Sequence, residues 1–89
     1  DLISIKIHGL RCKVCDFDFQ EMYGDLGLDF IEIHHIKPLS SLGESVIINP
    51  ETDLRPVCSN CHRMIHRRTE KVYSIEELKA IVKENTYEE

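Results

Sequence analysis

Ile3, Ile5 and Ile7 alternate with Ser4, Lys6 and His8, the period of a half-buried strand, and Gly9 marks its end. Residues 18–23 carry Phe19, Met22 and Tyr23 behind Asp18 and predict a short helix, closed by Gly24 and the turn around Gly27. The apolar, β-branched run over 30–36 predicts a second strand that stops at Pro38. From 38 to 53, Ser40, Ser41, Gly43, Asn49 and Pro50 surround the short apolar run Val46-Ile47-Ile48, which predicts a long loop of the kind that usually carries function. Residues 54–57 predict a brief return strand, and Ser59 stands where it can cap a helix over 60–68. Ser74-Ile75-Glu76-Glu77 matches a capping box, and Ile75, Leu78, Ile81 and Val82 give the last helix one apolar stripe. That helix is expected to pack on the fold and do no chemistry. The elements together predict an α+β class, with an N-terminal strand and a C-terminal helix flanking the centre.

Length limits what this pattern can build. With 89 residues there is room for one small domain, 1–89, and the apolar runs are too short to cross a bilayer. A chain of this size leaves roughly 35 to 40% of its unfolded surface exposed, so a covalent or metal staple is expected. Because the first residue is Asp and not Met, the chain reads as a fragment of a larger protein whose neighbouring domains are missing.

The cysteines supply the staple. Cys12 and Cys15 form one pair, Cys58 and Cys61 another, with 42 residues between the pairs. Two Cys-x-x-Cys knuckles give the four-sulfur set of a structural Zn²⁺; a disulfide framework is the alternative, but the repeated spacing and the lack of an apolar signal segment favour metal and a reducing compartment, the cytoplasm.

Four of the five histidines fall in two pairs. His34 and His35 are strand neighbours and point to opposite faces, so at the strand end one can bind a metal while the other faces solvent. His62 and His66 stand at i and i+4 of a helix and can grip one ion together, with His34 as third ligand. Cys61 and His62 are turned about 100° apart on that helix, which separates a sulfur site from an imidazole site. The alternatives are a local Cys₂His₂ site made of Cys58, Cys61, His62 and His66, and core roles for His34 and His35. His8 has no partner in the sequence and reads as structural.

Net charge is −5, which alone argues weakly against a nucleic-acid partner, yet the charges are segregated. Six acids and no Lys or Arg occur between residues 16 and 32, whereas 55–71 holds Arg55, Arg63, Arg67, Arg68 and Lys71 against the single acid Glu70. A basic face and a solvated charged helix both fit that cluster.

Glu32-Ile33-His34-His35-Ile36-Lys37-Pro38-Leu39, followed by Asp53-Leu54-Arg55-Pro56-Val57-Cys58-Ser59-Asn60-Cys61-His62-Arg63-Met64-Ile65-His66, resembles the HNH endonuclease family of ββα-metal nucleases. The likeness covers a motif core of 12–68. The opening Cys12-x-x-Cys15-Asp16-Phe17-Asp18-Phe19 and the Tyr23-Gly24 segment are most similar to the nuclease domains of modification-dependent (5-methylcytosine-specific) restriction endonucleases. The resemblance implies a small zinc-stapled, treble-clef-like ββα-metal fold. It also implies His35 as general base, His34, His62 and His66 as ligands of one catalytic divalent ion, and cleavage to 5′-phosphate and 3′-hydroxyl ends. The family's middle Asn falls on Asp53, a departure, because Asp accepts hydrogen bonds but cannot donate them; Asn60 is the other candidate. The ion expected is Mg²⁺, Mn²⁺, Ni²⁺, Co²⁺ or Zn²⁺, with nitrogen ligands disfavouring Mg²⁺.

The partner so implied is DNA, in double-stranded form, held through phosphates by Lys37, Arg55, Asn60, Arg63, Arg67 and Arg68. The loop 39–50 has too few basic or amide side chains to read bases, so target choice is expected of a companion specificity domain, and cutting both strands of a homodimer or of successive nicks. A zinc module that binds DNA or a protein without catalysis is the competing class; it would need the cysteines and none of the histidines.

Overall fold

The computed structural model describes residues 2–37 and 47–86. Its centre is a two-stranded antiparallel sheet in which β1 (Glu32–His35) pairs with β2 (Leu54–Val57), Glu32 opposite Val57 and His34 opposite Arg55. Alternation along β1 sends Glu32 and His34 to one face and Ile33 and His35 to the other. Pro56 is tolerated in β2 because a two-stranded sheet consists of edges. Its carbonyl accepts from the Lys13 N–H at 3.0 Å and so ties the first knuckle to the sheet.

The sheet leads directly into α4 (Ser59–Ile65), and α5 (Ile75–Asn85) packs across α4. Leu78 of α5, Val57 of β2 and Ile65 of α4 close over Cys12, Val14, Cys58 and Cys61, with Phe17, Phe19, Ile75 and Val82 packed against them. The core is therefore built around the sulfurs. Residues 12–17 form a tight loop: Cys12 N–H donates to the Phe17 carbonyl, and Asp16 N–H to the Cys12 carbonyl at 2.9 Å. Helix α2 (Phe19–Tyr23) follows where a short helix is expected, with Asp18 as its cap, the carboxylate accepting from the N–H groups of Gln20 and Glu21. A 3₁₀ turn, Gly24–Gly27, then delivers the chain to β1.

The class is α+β as expected, but four local expectations are corrected. Residues 2–8 form a helix, α1 (Leu2–His8), and not a strand. The two-residue alternation of isoleucines is realised only when the segment pairs with a strand, and residues 2–8 join neither edge of the sheet; α1 lies instead against α3 (Pro50–Asp53) and β2. Gly9 still ends the element, now as a helix cap at φ 82°, its N–H donating to the Ile5 carbonyl at 2.8 Å. His8 is structural in fact: its Nε2 meets the Pro50 carbonyl at 2.8 Å.

The strand expected over 30–36 shortens to Glu32–His35. The expected loop contains the short helix α3, capped by Asn49, while its stretch 38–46 lies outside the described residues. Finally, α4 ends at Ile65 instead of 68, and its N-cap is Cys58, whose sulfur accepts from the Cys61 N–H; the Ser59 hydroxyl is thereby released for another partner. The C-terminal helix begins as predicted, with the reciprocal Ser74–Glu77 capping box formed. Among the described residues no helix is long and apolar enough to cross a membrane.

Candidate metal centre

The ligating atoms of Cys12, Cys15, Cys58 and Cys61 all lie within 4.8 Å of one another. Sulfurs held tetrahedrally at about 2.3 Å from a zinc ion stand roughly 3.8 Å apart, and Cys15 Sγ and Cys58 Sγ are 3.7 Å apart. Backbone N–H groups of Val14 and Cys61 point at Cys12 Sγ and Cys58 Sγ, each at 3.4 Å. Burial opposes the Cys12 thiolate, but nearby backbone N–H groups outweigh it and bring that thiol down. Cys15 is pushed up to about 11 by burial, then by the charge of Cys12, and Cys61 is driven up more strongly by the same two causes. One favoured thiolate beside two thiols whose ionisation burial and its charge oppose is the electrostatic position a dication resolves. The residues fit a structural zinc.

A second group converges on the other side of α4. His34, His62 and His66 present ring nitrogens that also lie within 4.8 Å of one another, and their ring centroids are 5.4 to 5.8 Å apart. The histidines thus join one another and stay apart from the cysteines. His66 sits just past the end of α4 with φ −103° and ψ 17°, yet its ring remains one turn from His62. His34 is only 3% exposed. Burial, then the neighbouring imidazoles, pushes it down to about 4, so it is neutral and keeps the lone pair that a cation requires.

Glu32, two residues before His34 on the same strand face, is a site residue that sequence reasoning missed. Its carboxylate accepts from the Ser59 hydroxyl at 2.7 Å and stands 2.8 Å from His62 Nδ1. With Nδ1–H donating to the carboxylate, His62 Nε2 is left free for the cation. The Ser59 and His62 hydrogen bonds hold the Glu32 carboxyl below its ordinary value. A usable signal existed: strand alternation aligns Glu32 with His34, and Ser59 and His62 lie one turn apart on α4.

The remaining predicted residues divide. His35 faces away from His34 at the end of β1, half-buried, opposite Leu54. Asp53 turns its carboxylate to its own loop, accepting from the Asn49 N–H at 2.8 Å and the Thr52 hydroxyl at 3.1 Å, and these bonds lower its pKa. Its carbonyl receives the Ile36 N–H at 2.9 Å, next to His35. Arg63 and Arg67 flank a hollow of about 560 Å³ with His62, Met64 and His66. Arg55 donates to the carbonyls of Glu51 and Leu54 and lies across the sheet from His34. Lys37 is exposed beyond the strand end. Arg68 is turned to the Tyr73 hydroxyl. Asn60 lies with Cys15, Phe19 and Leu78 around a hollow on the sulfur side, and the structure does not bring it to the imidazoles.

Comparison with known families matches residues 12–68 to the HNH endonucleases. No curated protein and no solved structure matches the chain. The matched span begins at the first cysteine and ends at Arg68, so it contains both ligand clusters and leaves α1 and α5 outside.

Proposed function

Because the chain belongs to the HNH endonuclease family, we propose that it is the cleavage domain, 1–89, of a metal-dependent DNA endonuclease that leaves 5′-phosphate and 3′-hydroxyl ends. The observation that carries this reading is the convergence of His34, His62 and His66 beside, and apart from, the four cysteines. A binding module stapled by zinc has no use for a second cluster whose central imidazole is oriented by a carboxylate.

Phosphodiesters resist hydrolysis because attack adds negative charge to an anionic centre. A divalent ion held by the three imidazoles would supply the positive charge that stabilises the pentavalent phosphate and the departing 3′ oxygen. The protein's own side chains account for the rest. Glu32, fixed by Ser59, keeps His62 in one tautomer and orientation. His35 takes the proton from the attacking water, the general-base role that imidazole fills most often. Arg63 and Arg67 hold phosphate in the hollow beside His62 and His66, and Arg55 and Lys37 add positive charge near the strand end. Asp53 fixes the loop that leads into β2, and its carbonyl steadies the chain just after His35.

The Cys12-x-x-Cys15-Asp16-Phe17-Asp18-Phe19 opening supports the narrower reading of a cytoplasmic, modification-dependent restriction enzyme, with target choice made by a companion domain and double-strand cutting by a homodimer or by successive nicks. The test is nicking of supercoiled plasmid after chelation and addition of Mn²⁺, Mg²⁺ or Ni²⁺. The parental protein is expected to nick with at least one of them, and His35→Ala to lose about 10²-fold or more while keeping its melting profile. Cleavage by His35→Ala at the parental rate, or no cleavage by the parent with any of these ions, would overturn the assignment.

A further inference from the structure

The imidazole trio lies between two hollows with different walls. His62 and His66 border the hollow flanked by Arg63 and Arg67. His34 borders another, of about 400 Å³, whose walls, among the described residues, carry Lys13, Arg55 and Lys79 against the single carboxylate Glu76. These cations come from three separate elements. Lys13 stands between the first two cysteines, its backbone pinned to Pro56; Arg55 lies opposite His34 in the sheet; and Lys79 projects from α5, beyond the span matched to the family. Lys13 and Lys79 are exposed and border this hollow together; both also border a neighbouring one that carries Asp16 and Asp18, yet neither forms an ion pair among the described residues.

A DNA strand carries a phosphate for about every 3.4 Å of helix axis. If one phosphate lies on the trio, the strand must continue in both directions past it. Arg63 and Arg67 meet it on one side. On the other, the strand enters the hollow next to His34, where three cations and one carboxylate leave two net positive charges. Resting on the nuclease reading above, we infer that this second hollow is a subsite for the phosphodiester that flanks the scissile one, with Lys13 and Lys79 as its contacts. The last helix then has a binding role besides packing, and it extends the DNA footprint beyond the HNH core.

The experiment compares Lys13→Ala/Lys79→Ala with the parental chain in two measurements. The first is affinity for a short duplex across a salt series without divalent ions, read by fluorescence anisotropy. The slope of log affinity against log salt is expected to become shallower by about one for each lysine removed. The second is hydrolysis of the duplex and of bis(p-nitrophenyl) phosphate, a diester with no flanking phosphate. The variant is expected to lose about tenfold in kcat/KM on DNA, and nothing on the small diester, because only DNA has a neighbouring phosphate for the lysines to hold. Lys6→Ala/Lys83→Ala removes the same charge away from the hollow and should leave the salt slope nearer the parental value. Lys79→Glu, on an exposed helix face, gives the same test without touching the knuckle.

An unchanged slope, an equal loss on both substrates, or an equal effect of the control pair would overturn the subsite. A parental protein that hydrolyses neither substrate would instead overturn the nuclease reading, and the binding slope would still decide whether Lys13 and Lys79 touch phosphate.

Discussion

Glu32 illustrates how one carboxylate governs a ligand it does not replace. It links Ser59 to His62, and the bond to Nδ1 decides which nitrogen of His62 faces its neighbours. Removing such a partner typically costs 10- to 100-fold in metal affinity or activity. Glu32→Ala is expected to weaken binding of the second divalent ion by that factor, measured by titration calorimetry, with the fold retained; Glu32→Gln, which keeps an acceptor oxygen, should lose less. His34 makes a different prediction, for protein that carries the structural zinc and no ion on the imidazoles. Its folded pKa of about 4 lies below the value of about 6.5 expected in the unfolded chain. Below pH 6.5 the unfolded chain therefore takes up a proton that the folded one refuses. The stability this residue contributes is complete above about pH 6.5 and is lost as pH falls toward 4, up to roughly 3 kcal/mol. Urea midpoints of protein loaded with a single zinc equivalent, measured between pH 7 and 5, should show the fall, and His34→Gln should flatten it. The three imidazoles were legible in the sequence, because i, i+4 spacing and a strand end are local facts. Glu32 was harder to see, since its role depends on how α4 lands on β1.

At the scale of elements, local signals succeeded where a cap or a period had a partner nearby. Ser74 starts its helix as predicted, and Asp18 caps the short helix expected over 18–23, because each capping bond closes within three residues. The isoleucine alternation over residues 3–7 misled for the opposite reason: a strand is completed by another strand, and residues 2–8 pack as a helix on α3 and β2 without joining the sheet. Ser59 misled in a third way. Its hydroxyl had two possible partners, the helix end and Glu32, and the sulfur of Cys58 already served the helix. Gly27 holds a tight approach between elements. A Cβ there would come within 2.3 Å of the Phe19 carbonyl oxygen and 2.5 Å of its carbon, both backbone atoms of α2. Gly27→Ala must push the 3₁₀ turn off α2 and is expected to cost about 1 to 3 kcal/mol, read as a lower midpoint in chemical denaturation. A midpoint equal to the parental one would mean that the turn relaxes freely.

Across the whole molecule, the chain keeps two sets of side chains able to hold a metal ion, four cysteines and three histidines, at separate places around one short helix. The cysteines face the apolar core, which gathers Val14, Val57, Ile65 and Leu78 around them, and the histidines face the hollows that Arg63, Arg67 and Arg55 border. Net charge concealed this arrangement, because the acids of residues 16–32 offset the bases in the sum although they are spent locally: Asp16 and Glu21 are occupied with Arg11, and Glu32 with Ser59 and His62. The central claim is that two cations bind the chain at separate places, and counting them tests it most directly. Native mass spectrometry of zinc-saturated protein is expected to show two ions per chain, and His34→Ala/His62→Ala to show one, with the melt still cooperative. Two ions retained by that variant, or a single ion in the parental chain, would contradict the account.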